Sequence, residues 1–193
     1  SVLAKKAGIF GMVGGQAVDV ECEKTNNPLT KEKLLYIHEN KTGALIEASM
    51  MIGGILAGAS DEDVKKLEKA ASDIGIAFQI RDDIFDYTAS DNIGKPSGID
   101  MKEGKITLPA IYAMKTSDSD WSDTIRDIRA CVATDDQIRT LTEYSIANGG
   151  VEYAVTRMRE IASQALGLLP EGMPDKLHTA FADYIELVIR RER

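Results

Sequence analysis

The stretch FQIRDDIFDYTASDNIGK (residues 78–95) sets Asp82, Asp83 and Asp86 close together, after an apolar run and shortly before Lys95. Upstream, apolar residues recur at Val64, Leu67, Ala71, Ile74, Phe78 and Phe85, which is a helical period. Ser60 and Asp63 give this helix a capping-box-like start, and its end is expected near Tyr87. Along it, Gly75, Gln79, Asp82 and Asp86 fall at steps of four, three and four and share one face, with Asp83 about 100° round the axis. Asp82 and Asp86 are therefore expected to point together into a cavity. Carboxylates at a helix C-terminus oppose the dipole, by about 0.3–1 kcal/mol each. A solvated acidic face is the ordinary reading of such a group. The apolar, glycine-containing surroundings favour instead a buried element whose charge a cation offsets.

Outward from this helix, almost every segment reads as helix, and the expected fold class is all-α. Residues 2–24 are rich in Ala, Val and Gly and close at the turn signal TNNP, residues 25–28. Thr30 is expected to cap a helix running to about Ala59. The second half of that helix is crowded with small residues, which suggests a buried central helix with closely packed backbones. A polar loop follows Tyr87, and Pro109 suits the first turn of the next helix. Further helices are expected at about 121–133, 135–148, 150–168 and 175–192, with Asp135 and Asp136 opening the second of these as a cap and first-turn acids.

With 193 residues the chain is long enough for one domain with a sizeable core. A net charge of −8 argues against a nucleic-acid partner, and no apolar run approaches the length of a spanning helix. Cys22 and Cys131 have no metal-binding or disulfide-framework spacing and read as small hydrophobes on helices, which fits a cytoplasmic setting. His38 and His178 are too few for a histidine-rich zinc site.

Hard oxygen ligands without imidazole or thiolate select Mg2+ or Mn2+. Magnesium binds through one or two carboxylates and completes its shell with water and phosphate oxygens, so a metal here implies a phosphorylated ligand. Candidate groups for the phosphate side are Lys41 and Thr42 in KTGALIEAS, Lys95 in GKPSGID, and Lys105 in EGKITLP, each beside Gly, Thr or Pro. Gln16 and Asp19 in GGQAVD lie three apart on one helical face, next to Gly14 and Gly15 where another backbone could approach.

GGQAVD, KTGALIEAS, FQIRDDIFD, GKPSGID and EGKITLPAIY occur in this order, and the chain resembles the carboxyl-terminal two-thirds of the trans-isoprenyl diphosphate synthases, the farnesyl and geranylgeranyl type of polyprenyl synthetase. The resemblance is continuous from about Val13 to Tyr112 and implies that residues 1–193 are the carboxyl-terminal part of one terpenoid-synthase-like domain, a bundle of long helices around a central cavity. It implies Asp82 as a direct Mg2+ ligand, with Asp83 and Asp86 holding metal-bound water. Lys41, Lys95 and Lys105 would contact the allylic diphosphate, with Thr42 and Gln79 as hydrogen-bonding neighbours. Gln16, Asp19 and Asp100 would orient those groups, and Phe78 would line the pocket near isopentenyl diphosphate. The family's homodimeric state is implied as well.

The family's first aspartate-rich motif, and its residues for isopentenyl diphosphate, are not found in this sequence. The chain opens at Ser1, in what reads as mid-helix, so the expectation is a piece of a longer synthase whose N-terminal helices lie elsewhere. The alternative is a half-site or non-catalytic subunit that completes or modulates a partner synthase. Its sign would be a large exposed apolar face. A terpene cyclase of the same broad fold fits GKPSGID and EGKITLP less well. The arginines of VIRRER (Arg190, Arg191 and Arg193) suit a helix C-terminus and also a basic tail closing over substrate.

Overall fold

The computed structural model describes residues 1–24, 33, 36–88 and 98–191, and among these there is no strand. Residues 31, 32, 34 and 35 of the helix expected to run from Lys31 to about Ala59, its Thr30 cap, the TNNP turn, most of the polar loop, Lys95 and Arg193 lie outside the described residues. In chain order the helices are α1 (Val2–Ala7), α2 (Met12–Lys24), a π-helical segment His38–Gly43 that runs directly into α3 (Ala44–Leu56), α4 (Asp61–Thr88), α5 (Ile99–Lys102), α6 (Leu108–Lys115), α7 (Ser122–Arg129), α8 (Asp135–Ala147), α9 (Gly150–Gly167) and α10 (Asp175–Arg190). None is long and apolar enough to cross a membrane.

The described residues form two compact units, 1–24, 33, 36–79 and 158–191 in the first, 80–88 and 98–157 in the second. The core of unit 1 is built from α3, α4, α9 and α10. Met50, Leu67, Ala71, Ile74, Ala165, Ile185 and Val188 are buried there, with Phe78 packed against them. Lys6 pins α1 to this core through ion pairs with Glu47 and with Glu68, the latter at 2.8 Å. Burial works against the Lys6 ammonium, but the two carboxylates together hold its pKa above the ordinary lysine value. In unit 2, Tyr87, Met101, Ala110, Ile128, Ile138 and Leu141 form a second core, and Tyr112 of α6 stacks on Tyr153 of α9 at 4.1 Å.

Local signals account for most boundaries. Ser60 Oγ accepts the Asp63 N–H at 3.1 Å and starts α4 as expected. Pro109 lies in the first turn of α6. The cap of α8 is not the Asp135–Asp136 pair, as expected, but Thr134, which forms a capping box with Gln137 and leaves the two acids in the first turn. Three further expectations need correction. The first helix is two helices: Ser1 caps α1, and the chain breaks between Gly8 and Gly11, where extended backbone at Gly8 is followed by a turn. α3 is not buried all round; Ala44, Ala48, Met50 and Gly54 face the core while Leu45, Ile55 and Leu56 are exposed. Cys131 is no core residue but an exposed side chain beyond the end of α7, at φ 54°.

Candidate functional site

The last turns of α4 carry the carboxylates of DDIFD into unit 2. Asp86 is 3% exposed, and its two oxygens accept the N–H groups of Ile99 at 2.9 Å and Asp100 at 3.2 Å. Its own carbonyl takes the Gly98 N–H at 3.3 Å. The first amides of a helix have no partner within it, so a carboxylate aimed at the start of α5 is well placed. For Asp86 this backbone neighbourhood replaces the cavity that helical spacing had suggested. Asp83 is partly buried and accepts the Leu108 N–H, yet burial, with the charges of Asp100, Asp82 and Asp86, pushes its pKa up to about 7. Asp82 and Asp100 are half-buried. Tyr87, which the sequence did not mark, bonds through its hydroxyl to Thr107 Oγ1 at 2.9 Å, and burial raises its phenol pKa.

This donor set fits a hard divalent cation. Among the described residues no group of three or more His, Cys, Asp or Glu side chains is arranged to hold a metal by protein ligands alone. Magnesium does not require one, since water and phosphate oxygens fill most of its shell. Burial is the first cause of the raised Asp83 pKa, and the charges of Asp100, Asp82 and Asp86 add to it; a cation would relieve the second of these.

In unit 1, Lys41 Nζ pairs with Asp19 Oδ2 at 2.6 Å, and Gln79 Nε2 donates to Thr42 Oγ1 at 2.8 Å. Asp19 is buried, whereas the Lys41 side chain remains 41% exposed, so the ammonium is oriented without being enclosed. Lys41 and Thr42 both belong to the π-helical segment, a geometry the sequence did not announce and one frequent at functional sites. Gly15 makes the approach possible: a Cβ there would overlap the Lys41 backbone nitrogen. The expectation of close backbone approach at GGQAVD is met, with Gln16 exposed on the outer side. Phe78 is half-buried, and its ring carries the Arg191 guanidinium at 3.6 Å from the centroid, with Arg191 Nη2 donating to the Phe78 carbonyl at 3.4 Å. Arg190 pairs with Glu186 instead. In unit 2, Lys105 pairs with Glu103 at 2.8 Å.

The polyprenyl synthetase family profile matches residues 4–144. The chain belongs to that family. Polyprenyl synthetase relatives include the farnesyl diphosphate synthase of Geobacillus stearothermophilus, 44% identical over 113 residues that make up 58% of this chain and 37% of that protein. The large subunit 1 of the heterodimeric geranylgeranyl pyrophosphate synthase of Arabidopsis thaliana is 43% identical over 117 residues, 60% of this chain and 32% of that one. Among solved structures, geranylgeranyl pyrophosphate synthase from Bacteroides thetaiotaomicron superposes with a TM-score of 0.76 at 32% identity, covering 93% of this chain and 60% of that one. The polyprenyl synthase of Caulobacter crescentus CB15, solved with calcium and isoprenyl diphosphate, gives 0.79 at 25% identity over all of this chain and 58% of its own. The all-α architecture is thus the polyprenyl synthetase fold. The chain spans about a third of the length of these curated relatives.

Proposed function

We propose that residues 1–193 are the carboxyl-terminal part of one polyprenyl synthetase domain, in an enzyme that condenses an allylic diphosphate with isopentenyl diphosphate and releases diphosphate. The observation that carries this reading is the group of carboxylates at the end of α4, with the charge of Asp100 brought to bear on Asp83, in a chain of this family. Asp82, with Asp83, Asp86 and Asp100 as further candidates, would hold Mg2+; the calcium and isoprenyl diphosphate in the Caulobacter relative support a divalent metal. When bound, Mg2+ supplies charge neutralisation for the departing diphosphate. Lys41, aimed by Asp19, and Thr42, held by Gln79, would bind diphosphate oxygens, together with Lys95 and Lys105. Gln16 would assist from the outer side, and Phe78 would offer an apolar wall to isopentenyl diphosphate. As the allylic carbon–oxygen bond breaks, these donors stabilise the leaving group, the isopentenyl double bond attacks the cation, and a proton departs. A cytoplasmic homodimer belongs to the same proposal.

The test uses the protein as its gene encodes it, with labelled isopentenyl diphosphate, an allylic diphosphate and Mg2+. Condensed product with stoichiometric diphosphate is expected, and Asp82→Ala should lower turnover about 100-fold or more with the fold retained. Ionisation of the allylic substrate without consumption of isopentenyl diphosphate would point to a cyclase and overturn the reading. One feature favours a second reading, a half-site subunit that completes a partner synthase: Leu3, Ile55 and Leu56 are large apolar side chains left exposed around one recess. In that case the purified chain would be inactive alone and active with the partner added.

A further inference from the structure

The segment from Gly98 to Leu108 is tied to the end of α4 at three side chains. Asp86 takes the Ile99 and Asp100 amides, Asp83 takes the Leu108 amide, and the Tyr87 hydroxyl meets Thr107 Oγ1. These three residues stand at steps of three and four on α4 and share one face. The segment is knitted internally as well, Lys102 N–H donating to the Gly98 carbonyl at 3.1 Å and Lys105 N–H to the Asp100 carbonyl at 2.8 Å. Gly98 is held in the left-handed region at φ 79°, and a Cβ there would overlap Ile138 Cγ2, so the turn is wedged against α8.

Both Asp86 oxygens are thus engaged by backbone donors in a side chain almost wholly removed from solvent. Magnesium keeps several waters and demands near-octahedral room, which a carboxylate in this position offers poorly. We propose that Asp86 is a positioning residue: it clasps the start of α5 so that Asp100 stays beside Asp83, and leaves the metal to the other carboxylates. The inference deepens the metal-holding reading of Asp82 and Asp100 and rests on it.

The test is residue-resolved amide hydrogen exchange of the full-length protein without metal, together with Mn2+ titration followed by water-proton relaxation. With Asp86→Ala, exchange at Ile99 and Asp100 should accelerate about tenfold or more, while Leu141 in α8 keeps its protection. Asp86→Asn retains one acceptor oxygen and should expose only one of the two amides; it decides the matter if the alanine variant fails to fold. Asp82→Asn should leave both amides protected and weaken Mn2+ about tenfold or more. If both amides stay protected in Asp86→Ala, the proposal is overturned. It is overturned equally if Asp86→Asn abolishes Mn2+ binding while both amides stay protected. Loss of protection in Asp86→Ala with Mn2+ affinity unchanged in Asp82→Asn would support the clasp and refute the metal-holding reading.

Discussion

At Asp83 two effects add in the same direction, burial first and then the charges of Asp100, Asp82 and Asp86, against one favourable bond from Leu108. The folded-state pKa of about 7 lies above the ordinary 3.8, so between these values the native protein keeps a proton that the unfolded chain has released. The contribution is therefore fully present below about pH 4 and is lost as pH rises through about 7. Each pKa unit corresponds to about 1.4 kcal/mol, so the effect should be visible in denaturant midpoints. In metal-free protein the urea midpoint should fall between about pH 5 and pH 7.5, and Asp83→Asn, which cannot titrate, should flatten that slope. Equal slopes in the two proteins would refute the assignment of this proton to Asp83. The smaller part of the effect, the charges of Asp82 and Asp86, was legible in DDIFD because neighbours on a helix are fixed by spacing; the burial and the approach of Asp100 were not. The Tyr87–Thr107 bond was not, since nothing in the spacing of two residues twenty positions apart shows that the chain folds back between them.

Helices were read well where caps and apolar period agree, and poorly where glycine decides. Ser60, Pro109 and the acids after Thr134 each mark a start by local hydrogen bonding or fixed backbone angle, information carried within four residues. The small residues of α3 were misleading because composition does not say which face is covered. Gly54 is buried while Gly53, its neighbour, is exposed with open space around it. Glycines of these two kinds should respond to substitution with opposite sign. Gly15→Ala would drive a methyl group into the Lys41 backbone nitrogen and to 2.9 Å from the Asn40 carbonyl carbon, atoms that move only with the whole π-helical segment. A loss of about 1–3 kcal/mol is expected, accompanied by weaker diphosphate binding because Lys41 shifts. Gly53→Ala adds a methyl group to open space inside a helix and should stabilise by about 0.5–1 kcal/mol. Urea denaturation of both variants at one pH provides the comparison, and a stabilising Gly15→Ala would contradict the close approach of α2 to the π-helical segment.

Within unit 1, Phe10 is 80% exposed and Leu56 82%, with Leu3, Ile9, Val13 and Ile55 exposed as well. Ser1, Val2, Leu3, Ile52, Ile55 and Leu56 line an apolar recess of about 410 Å³. Scattered single apolar residues such as Phe10 need no explanation on a protein surface, but Leu3, Ile55 and Leu56 exposed together around one recess do. The sequence showed that part of the synthase pattern was lacking, because the first aspartate-rich motif is not in it; which surface is left uncovered depends on packing and became visible only in three dimensions. Two sources of cover are distinguishable by mass: a preceding segment of the same polypeptide gives a natural product well above 21.0 kDa, and a second chain does not. Either way, the 193-residue chain taken alone should self-associate at micromolar concentration, because water-exposed apolar area is removed when copies meet. Light scattering should then report an average mass above that of the 21.0 kDa monomer, falling toward it on dilution. Replacing two exposed side chains of the recess together, Leu3→Lys and Leu56→Lys, puts two charges on the face and should return the chain to a monomer. Helical content should be retained, since neither side chain contributes to the core. A wild-type chain that stays monomeric at every concentration would show that this face needs no cover, and the half-site reading would lose its support.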